Sequence, residues 1–380
     1  MSWRLPRGRP MCATPNRLFL LLAALMLLAG VPAGAASPAE ANAAARDFIR
    51  ATMERKGIPG LQIAVIQDGR LLLSESHGLA NVENHQPVER TTLFPINSAT
   101  KAFTGVAVMQ LVQAGRVDLQ APISTYLPDL PPDWRGIRVR QLLAHTSGLP
   151  DIVDAQGLVG GGSEQDAWLA VAGMPLQASP GERFAYNQTN YGLLARIIEQ
   201  QAGMPYEAFV AERQFAPLGM RRSGFGDSYD LVADATTVYS LFPRRTDAAD
   251  APVRLSHWFY DLPRGLWAGG GIQTTADELA QWLMALLQGR LIDADMRERM
   301  WTPERLNDGA VGDWAAGWPV AGTSAHREVT AMGGGRAAFR IYPDQGLAVV
   351  VLTNLVGADP QAFIAEIAGF YRAVPAGGPH

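Results

Sequence analysis

Ser98 and Lys101 stand three residues apart, and Lys101 is one of only two lysines in a chain that holds thirty arginines. The other lysine is Lys56. Arginine serves wherever a fixed positive charge is enough, because a guanidinium keeps its proton at any workable pH. An ammonium can give its proton up when its surroundings disfavour the charge. With fourteen serines and two lysines in 380 positions, an S-x-x-K pairing is rare by chance. Residues i and i+3 share a helix face, so a helix opening at Ser98 brings the Lys101 amine near the serine hydroxyl. The partial positive charge of a helix N-terminus and burial both work against an ammonium there. The pair then reads as a serine nucleophile with a lysine proton acceptor beside it. The same residues also fit a serine N-cap followed by a solvated lysine.

A second stretch, Glu182-Arg183-Phe184-Ala185-Tyr186-Asn187-Gln188-Thr189-Asn190-Tyr191, follows the turn at Pro180-Gly181. A tyrosine held among polar side chains near a cation can carry protons. Tyr186 equally fits a buried tyrosine satisfied by one hydrogen bond.

The elements that must position these groups are legible in outline. An alanine-rich helix is predicted over residues 39–56, ended by Gly57 and Pro59. Residues 61–67 and 71–76 are strand-like runs around Asp68-Gly69, a hairpin signal. Apolar residues recur at helical spacing over residues 98–114, and residues 138–205 read as mostly helical with loops. Thr275-Ala276-Asp277-Glu278 has the capping-box pattern and opens a helix to residue 287. Residues 336–342 and 347–353 flank Pro343-Asp344-Gln345-Gly346, a second hairpin, and a helix closes the chain near 360–372. Residues 226–265 read as irregular loop. The expected fold is α+β, with one antiparallel sheet built from both chain ends (about 40–95 and 310–373) and flanked by helices. A mostly helical insert fills about 98–305.

Residues 1–35 read as a secretory signal peptide. Arg4, Arg7, Arg9 and Arg17 lead an apolar run of about fourteen residues, and cleavage is expected after Ala35. That run is shorter than the ~20 residues of a membrane span. The single cysteine, Cys12, lies in this leader, so residues 36–380 form one domain without disulfide or thiolate chemistry. The formal net charge is −4 and no basic stripe stands out, which argues against a nucleic-acid partner. The six histidines are scattered singly, without metal-ligand spacing. The expected localisation is secreted or periplasmic.

Five segments stand in order along the chain: Ser98-Ala99-Thr100-Lys101, residues 142–150 (Leu-Leu-Ala-His-Thr-Ser-Gly-Leu-Pro), the Tyr186 segment, Pro217-Leu218-Gly219-Met220 and residues 268–275 (Ala-Gly-Gly-Gly-Ile-Gln-Thr-Thr). Together they resemble the serine hydrolases related to class C β-lactamases, a family that includes D-alanyl peptidases and carboxylesterases. The resemblance covers about residues 40–372. It implies Ser98 as the acylated nucleophile, Lys101 as its base and Tyr186 as the proton shuttle to the leaving group. It implies an oxyanion hole from the Ser98 N–H and a backbone N–H near Gly335, with Gln188, Gly334 and Gly335 along the substrate. No metal or cofactor is implied. His145 reads as part of a structural turn.

Two positions depart from the family pattern. Gln188 stands where asparagine is usual. Met332-Gly333-Gly334-Gly335 stands where the family carries a Lys- or His-led triplet ending in glycine. Aligned on Phe339, Met332 takes the place of a cation that normally helps hold a substrate carboxylate. Arg336 reads as outward-facing, with the alternative that it supplies the missing charge. The expected function is an exported serine hydrolase acting on an ester or amide of a small molecule, either esterase or D-alanyl peptidase. A true β-lactamase and a catalytically weak binding or sensing domain are the rivals.

Overall fold

The two chain ends carry strands that are apolar on both faces, and such strands are stable only with a covering layer on each side. In the computed structural model, which describes residues 37–244, 248, 252–323 and 326–372, they meet in one antiparallel sheet. Its strands are β1 (Gly60–Gln67), β2 (Arg70–Asn81), β3 (Gln86–Pro87), β4 (Val320–Thr323), β5 (His326–Gly333), β6 (Ala337–Tyr342) and β7 (Leu347–Thr353). They lie in the order β4-β5-β6-β7-β1-β2-β3. The expected leader, residues 1–35, lies outside the described residues. Among the described residues no helix is long and apolar enough to cross a membrane.

The hairpin residues behave as their chemistry requires. Asp68 and Gly69 both have positive φ (50° and 73°), the signature of the two-residue turn that matches strand twist. Alternation then sends side chains to opposite faces. Leu61, Ile63, Val65, Leu347, Val349 and Val351 pack with the terminal helices α1 (Pro38–Lys56) and α6 (Ile364–Gly369). Ala64, Ile66, Ala348, Val350 and Leu352 join the larger core shared with the insert.

The insert's main helices are α2 (Thr100–Gln113), α3 (Glu164–Ala172), α4 (Thr189–Ala202) and α5 (Ala276–Leu287). Eleven of the fourteen residues of α2 are buried, so this helix runs through the core with no solvent face. Phe103 stacks on Trp282 of α5 at 3.9 Å between ring centroids. Thr275 caps α5 as predicted, its side chain accepting from the Glu278 N–H. The Glu278 carboxylate in turn accepts from the Arg222 and Ser223 N–H groups.

Residues 226–265 depart from the loop expected of them. Tyr239–Ser240 pairs with Ser256–His257 and with Leu355–Val356 in a small three-stranded sheet. A second small sheet carries Phe94–Pro95, Ile272–Thr274 and Gly224–Phe225. It holds the segment that leads into Ser98, and the Ile96 N–H donates to the Ile272 carbonyl at 3.0 Å.

Candidate active site

Ser98 lies in a 3-10 turn, Asn97–Ala99, that feeds directly into α2. Neither helix start uses a side-chain cap, so the hydroxyl is not spent on capping. The turn is wedged against the end of β5. A Cβ on Gly333 would stand 2.6 Å from the Ser98 nitrogen and would collide with the Ile96 carbonyl oxygen. Only glycine allows a strand to come this close to the Ser98 backbone.

Lys101, one helical turn on, is 1% exposed and so is not the solvated lysine of the alternative reading. Its Nζ donates to Gln188 Oε1 at 2.9 Å and to the Gly269 carbonyl at 2.8 Å. Two aromatic faces enclose it, with the Tyr186 and Tyr191 ring centroids at 4.8 and 4.9 Å. Cation–π contacts of this kind hold an ammonium in place without neutralising it. Two of the amine's positions are therefore taken by acceptors. The third is free for either a proton or a lone pair.

The glycine-rich segment 268–275 explains itself here. Beyond the Gly269 contact, the Ala268 carbonyl accepts from Thr104 Oγ1 at 2.7 Å, and Thr100 Oγ1 accepts from the Ile272 N–H at 3.1 Å. The segment thus lies flat against the first turns of α2. A Cβ on Gly269 would stand 2.8 Å from Gln188 Oε1 and 3.4 Å from Lys101 Nζ.

The two polar motifs form one scaffold. Ala185 N–H donates to the His145 carbonyl, Asn187 Nδ2 to the Leu149 carbonyl and Thr189 Oγ1 to the Pro150 carbonyl. Ser147 Oγ donates to Asn190 Oδ1 at 2.6 Å. This lacing fixes the backbone on both sides of Tyr186, whose ring is 38% exposed. The ring lies 4.3 Å from that of His145 and 5.5 Å from that of Trp314.

Burial separates the titratable groups by role. Tyr191 is fully enclosed and its hydroxyl donates to the Leu143 carbonyl; burial pushes its phenol well above the ordinary range. Burial, and secondarily the charge of Lys101, hold His145 well below its ordinary range, so it is neutral. Its Nδ1 accepts from the Asn187 N–H and lies 3.1 Å from Asn190 Nδ2, which assigns the proton to Nε2. Asp151, just beyond the second motif, accepts from the Gln188 N–H at 2.8 Å. Burial raises its carboxyl above the usual range despite that bond.

The sheet side of Ser98 carries an apolar side chain and a glycine turn. Met332, near the end of β5, is 37% exposed. Gly334 and Gly335 follow in a tight turn with φ of 59° at each. Arg336 overturns the outward-facing reading: it is 2% exposed, and burial lowers its guanidinium to about 10. Nε and Nη2 donate to Asn97 Oδ1 at 2.8 and 2.5 Å. The Tyr260 ring covers it at 4.9 Å from Cζ.

The fold thus brings Lys101, Tyr186 and Gln188 into contact and sets Ser98 against Gly333. Gly334 packs on the Asn97 side chain, whereas Gly335 faces Asp359 and Gly357. Asn97, Asp151, Tyr191 and Trp314 belong to the same surroundings and carry no sequence signal of their own. Among the described residues no group of three His, Cys, Asp or Glu is placed to hold a metal ion.

Comparison with known proteins follows the same outline. The chain is similar to Protein flp of Staphylococcus aureus (strain MW2), 32% identical over 184 residues, which is 47% of this chain and 37% of that protein. It therefore spans well under two thirds of the length of that curated relative. The octameric penicillin-binding protein homologue from Pyrococcus abyssi superposes with a TM-score of 0.69 at 26% identity, over 85% of this chain and 77% of that one. The D-amino acid amidase of Ochrobactrum anthropi SV3, in complex with L-phenylalanine amide, shares the fold with a TM-score of 0.72 at 24% identity, over 87% and 97% of the two chains. The model of the family described as Beta-lactamase matches residues 45–370, from α1 through both walls of the site to the last helix. The chain belongs to the beta-lactamase family.

Proposed function

We propose that this protein is a serine hydrolase that works through an acyl-enzyme on Ser98. Lys101 takes the Ser98 proton as the hydroxyl attacks a carbonyl carbon, giving a tetrahedral intermediate. The Ser98 N–H and a backbone N–H near Gly335 receive the developing oxyanion. Losing one such donor typically costs ~3 kcal/mol. Tyr186 passes a proton to the leaving group as its bond to carbon breaks. Water then attacks the ester on Ser98 and releases the acid. The observation that carries this reading is Lys101: a buried amine bonded only to neutral acceptors, one turn from an uncapped serine.

The substrate is an ester or amide of a small molecule, as in esterases and D-alanyl peptidases. Met332 leaves a thioether where a carboxylate would otherwise meet a cation, so substrates with a free carboxylate next to the scissile bond are disfavoured. A true β-lactamase ranks below an esterase for that reason. Met332 is also the one feature favouring a weakly catalytic binding or sensing domain. Export follows from the leader-like composition of residues 1–35, with residues 36–380 as a single catalytic domain.

A fluorophosphonate probe followed by peptide mass spectrometry tests the nucleophile. Ser98 should carry the label, and Ser98→Ala should melt normally and stay unlabelled. A folded wild-type protein that leaves Ser98 unmodified ends the reading. Short-chain nitrophenyl esters should turn over faster than a chromogenic cephalosporin or a D-Ala-D-Ala peptide, and the reverse order would restore the β-lactamase.

A further inference from the structure

Asn97 stands one residue before Ser98 with φ of 45°, in the left-handed region that a non-glycine residue holds only when its surroundings fix it. Arg336 holds the side chain of this residue through the two bonds to Asn97 Oδ1. The arginine is itself anchored, because its carbonyl accepts from both the N–H (2.7 Å) and the Oγ1 (2.9 Å) of Thr353 at the end of β7. Gly333 and Gly334 close the contact from the strand side, against the Ser98 nitrogen and the Asn97 side chain. A buried guanidinium is normally matched by a carboxylate. Here Nη1 has no hydrogen-bond partner among the described residues, and the group facing the guanidinium is the Tyr260 ring, whose phenol burial raises to about 12 and so keeps neutral. A local rule broken in this way tends to mark a functional position.

We propose that Arg336 is a positioning residue. By gripping Asn97 from two nitrogens, it locks the nucleophile turn to the sheet and sets the spacing between the Ser98 N–H and the turn that carries Gly335. A direct grip on substrate does not fit, since Nε and Nη2 are already spent on Asn97, the unpartnered Nη1 is enclosed, and the Tyr260 ring covers the guanidinium. The proposal rests on the acyl-enzyme reading, because the spacing matters only if an oxyanion forms between those two backbone groups.

The test compares wild type, Arg336→Gln, Arg336→Lys, Asn97→Ala and the Arg336→Gln/Asn97→Ala double variant. Thermal melts, the rate of Ser98 labelling by a fluorophosphonate, and kcat and KM on a neutral nitrophenyl ester are measured for each. Misplacing a reacting group by about 1 Å costs on the order of 100-fold. Arg336→Gln should therefore lower the labelling rate and kcat by about 10- to 100-fold, with KM within about threefold of wild type. Arg336→Lys should recover little, because one ammonium cannot reproduce a two-nitrogen grip. The double variant should be no slower than the worse single. The proposal is overturned if folded Arg336→Gln labels within about threefold of wild type, or if the two single losses multiply in the double variant. Should Arg336→Gln fail to fold, Asn97→Asp, which keeps the acceptor, should stay within about threefold of wild type while Asn97→Ala falls behind it; equal rates for the two overturn the proposal. An unlabelled wild-type protein ends the serine-hydrolase reading instead, so the two failures are distinguishable.

Discussion

The two parts of the fold that meet at Ser98, the helical insert and the sheet, are built on opposite plans. The insert wall is a dense polar and aromatic assembly, in which Lys101 is bonded to Gln188 and Gly269, faced by two tyrosines and braced by the laced loops around His145 and Tyr186. The sheet wall presents the exposed Met332, three glycines and an arginine drawn back under Tyr260. The first wall has the parts for moving protons. The second carries Met332 at the position where the family resemblance leads one to expect a cation. On the proposed reading, nucleophile activation and charge recognition fall on separate elements of the fold.

That separation can be broken by experiment, beginning where the effect is largest. Lys101→Arg keeps the charge of the insert wall but cannot accept a proton. It should cut the rate of Ser98 labelling by about 1,000-fold, within the usual range for losing a general base. Near-normal labelling would remove Lys101 from the base role. Tyr186→Phe comes next: it keeps the ring stacked beside Lys101 and removes only the hydroxyl. Turnover of a nitrophenyl ester should fall about 100-fold with KM nearly unchanged, and a shift confined to KM would make the tyrosine a binding group.

Met332→Lys restores a cation to the sheet wall. Acylation by a cephalosporin carrying a free carboxylate should rise about tenfold relative to a neutral ester, equivalent to about 1.4 kcal/mol. An unchanged ratio would mean that the wall's selectivity lies elsewhere. The smallest effect concerns stability. His145 ionises well below its unfolded value of 6.5, so the unfolded chain binds the extra proton first as pH falls. Its contribution is complete above about pH 6.5 and is lost below that, by at most about 1.4 kcal/mol per pH unit. Thermal melts between pH 8 and 5 should fall less steeply for His145→Gln than for wild type, and parallel slopes would contradict a neutral buried imidazole.

Much of the frame was legible because short-range chemistry dictates it. Asp68-Gly69 can scarcely do anything but turn, and the apolar runs beside it must pair as strands. Thr275 announced α5 through its cap. The cleft was legible in part, since Ser98 and Lys101 lie one helical turn apart and need no tertiary information to meet. Residues 226–265 were not, because strands of two residues are too short to show a period. Arg336 was misjudged for a different reason. Gly334 and Gly335 both take positive φ, and after such a reversal the alternation of a strand no longer tells which way the next side chain points. The segment holding Gly269 was recognised, but nothing local announced that its carbonyl would meet Lys101, 168 residues away.

The scarcity of lysine has a practical corollary for handling the protein. Lys101 is sealed inside the insert wall, while Lys56 sits half-buried near the end of α1, with its Nζ 6.0 Å from the Phe363 ring centroid. Amine-directed reagents that attack side chains from solvent should thus find Lys56 alone. A dye or a surface tether placed there would sit on the helix behind the sheet, on the face away from Ser98 and Lys101.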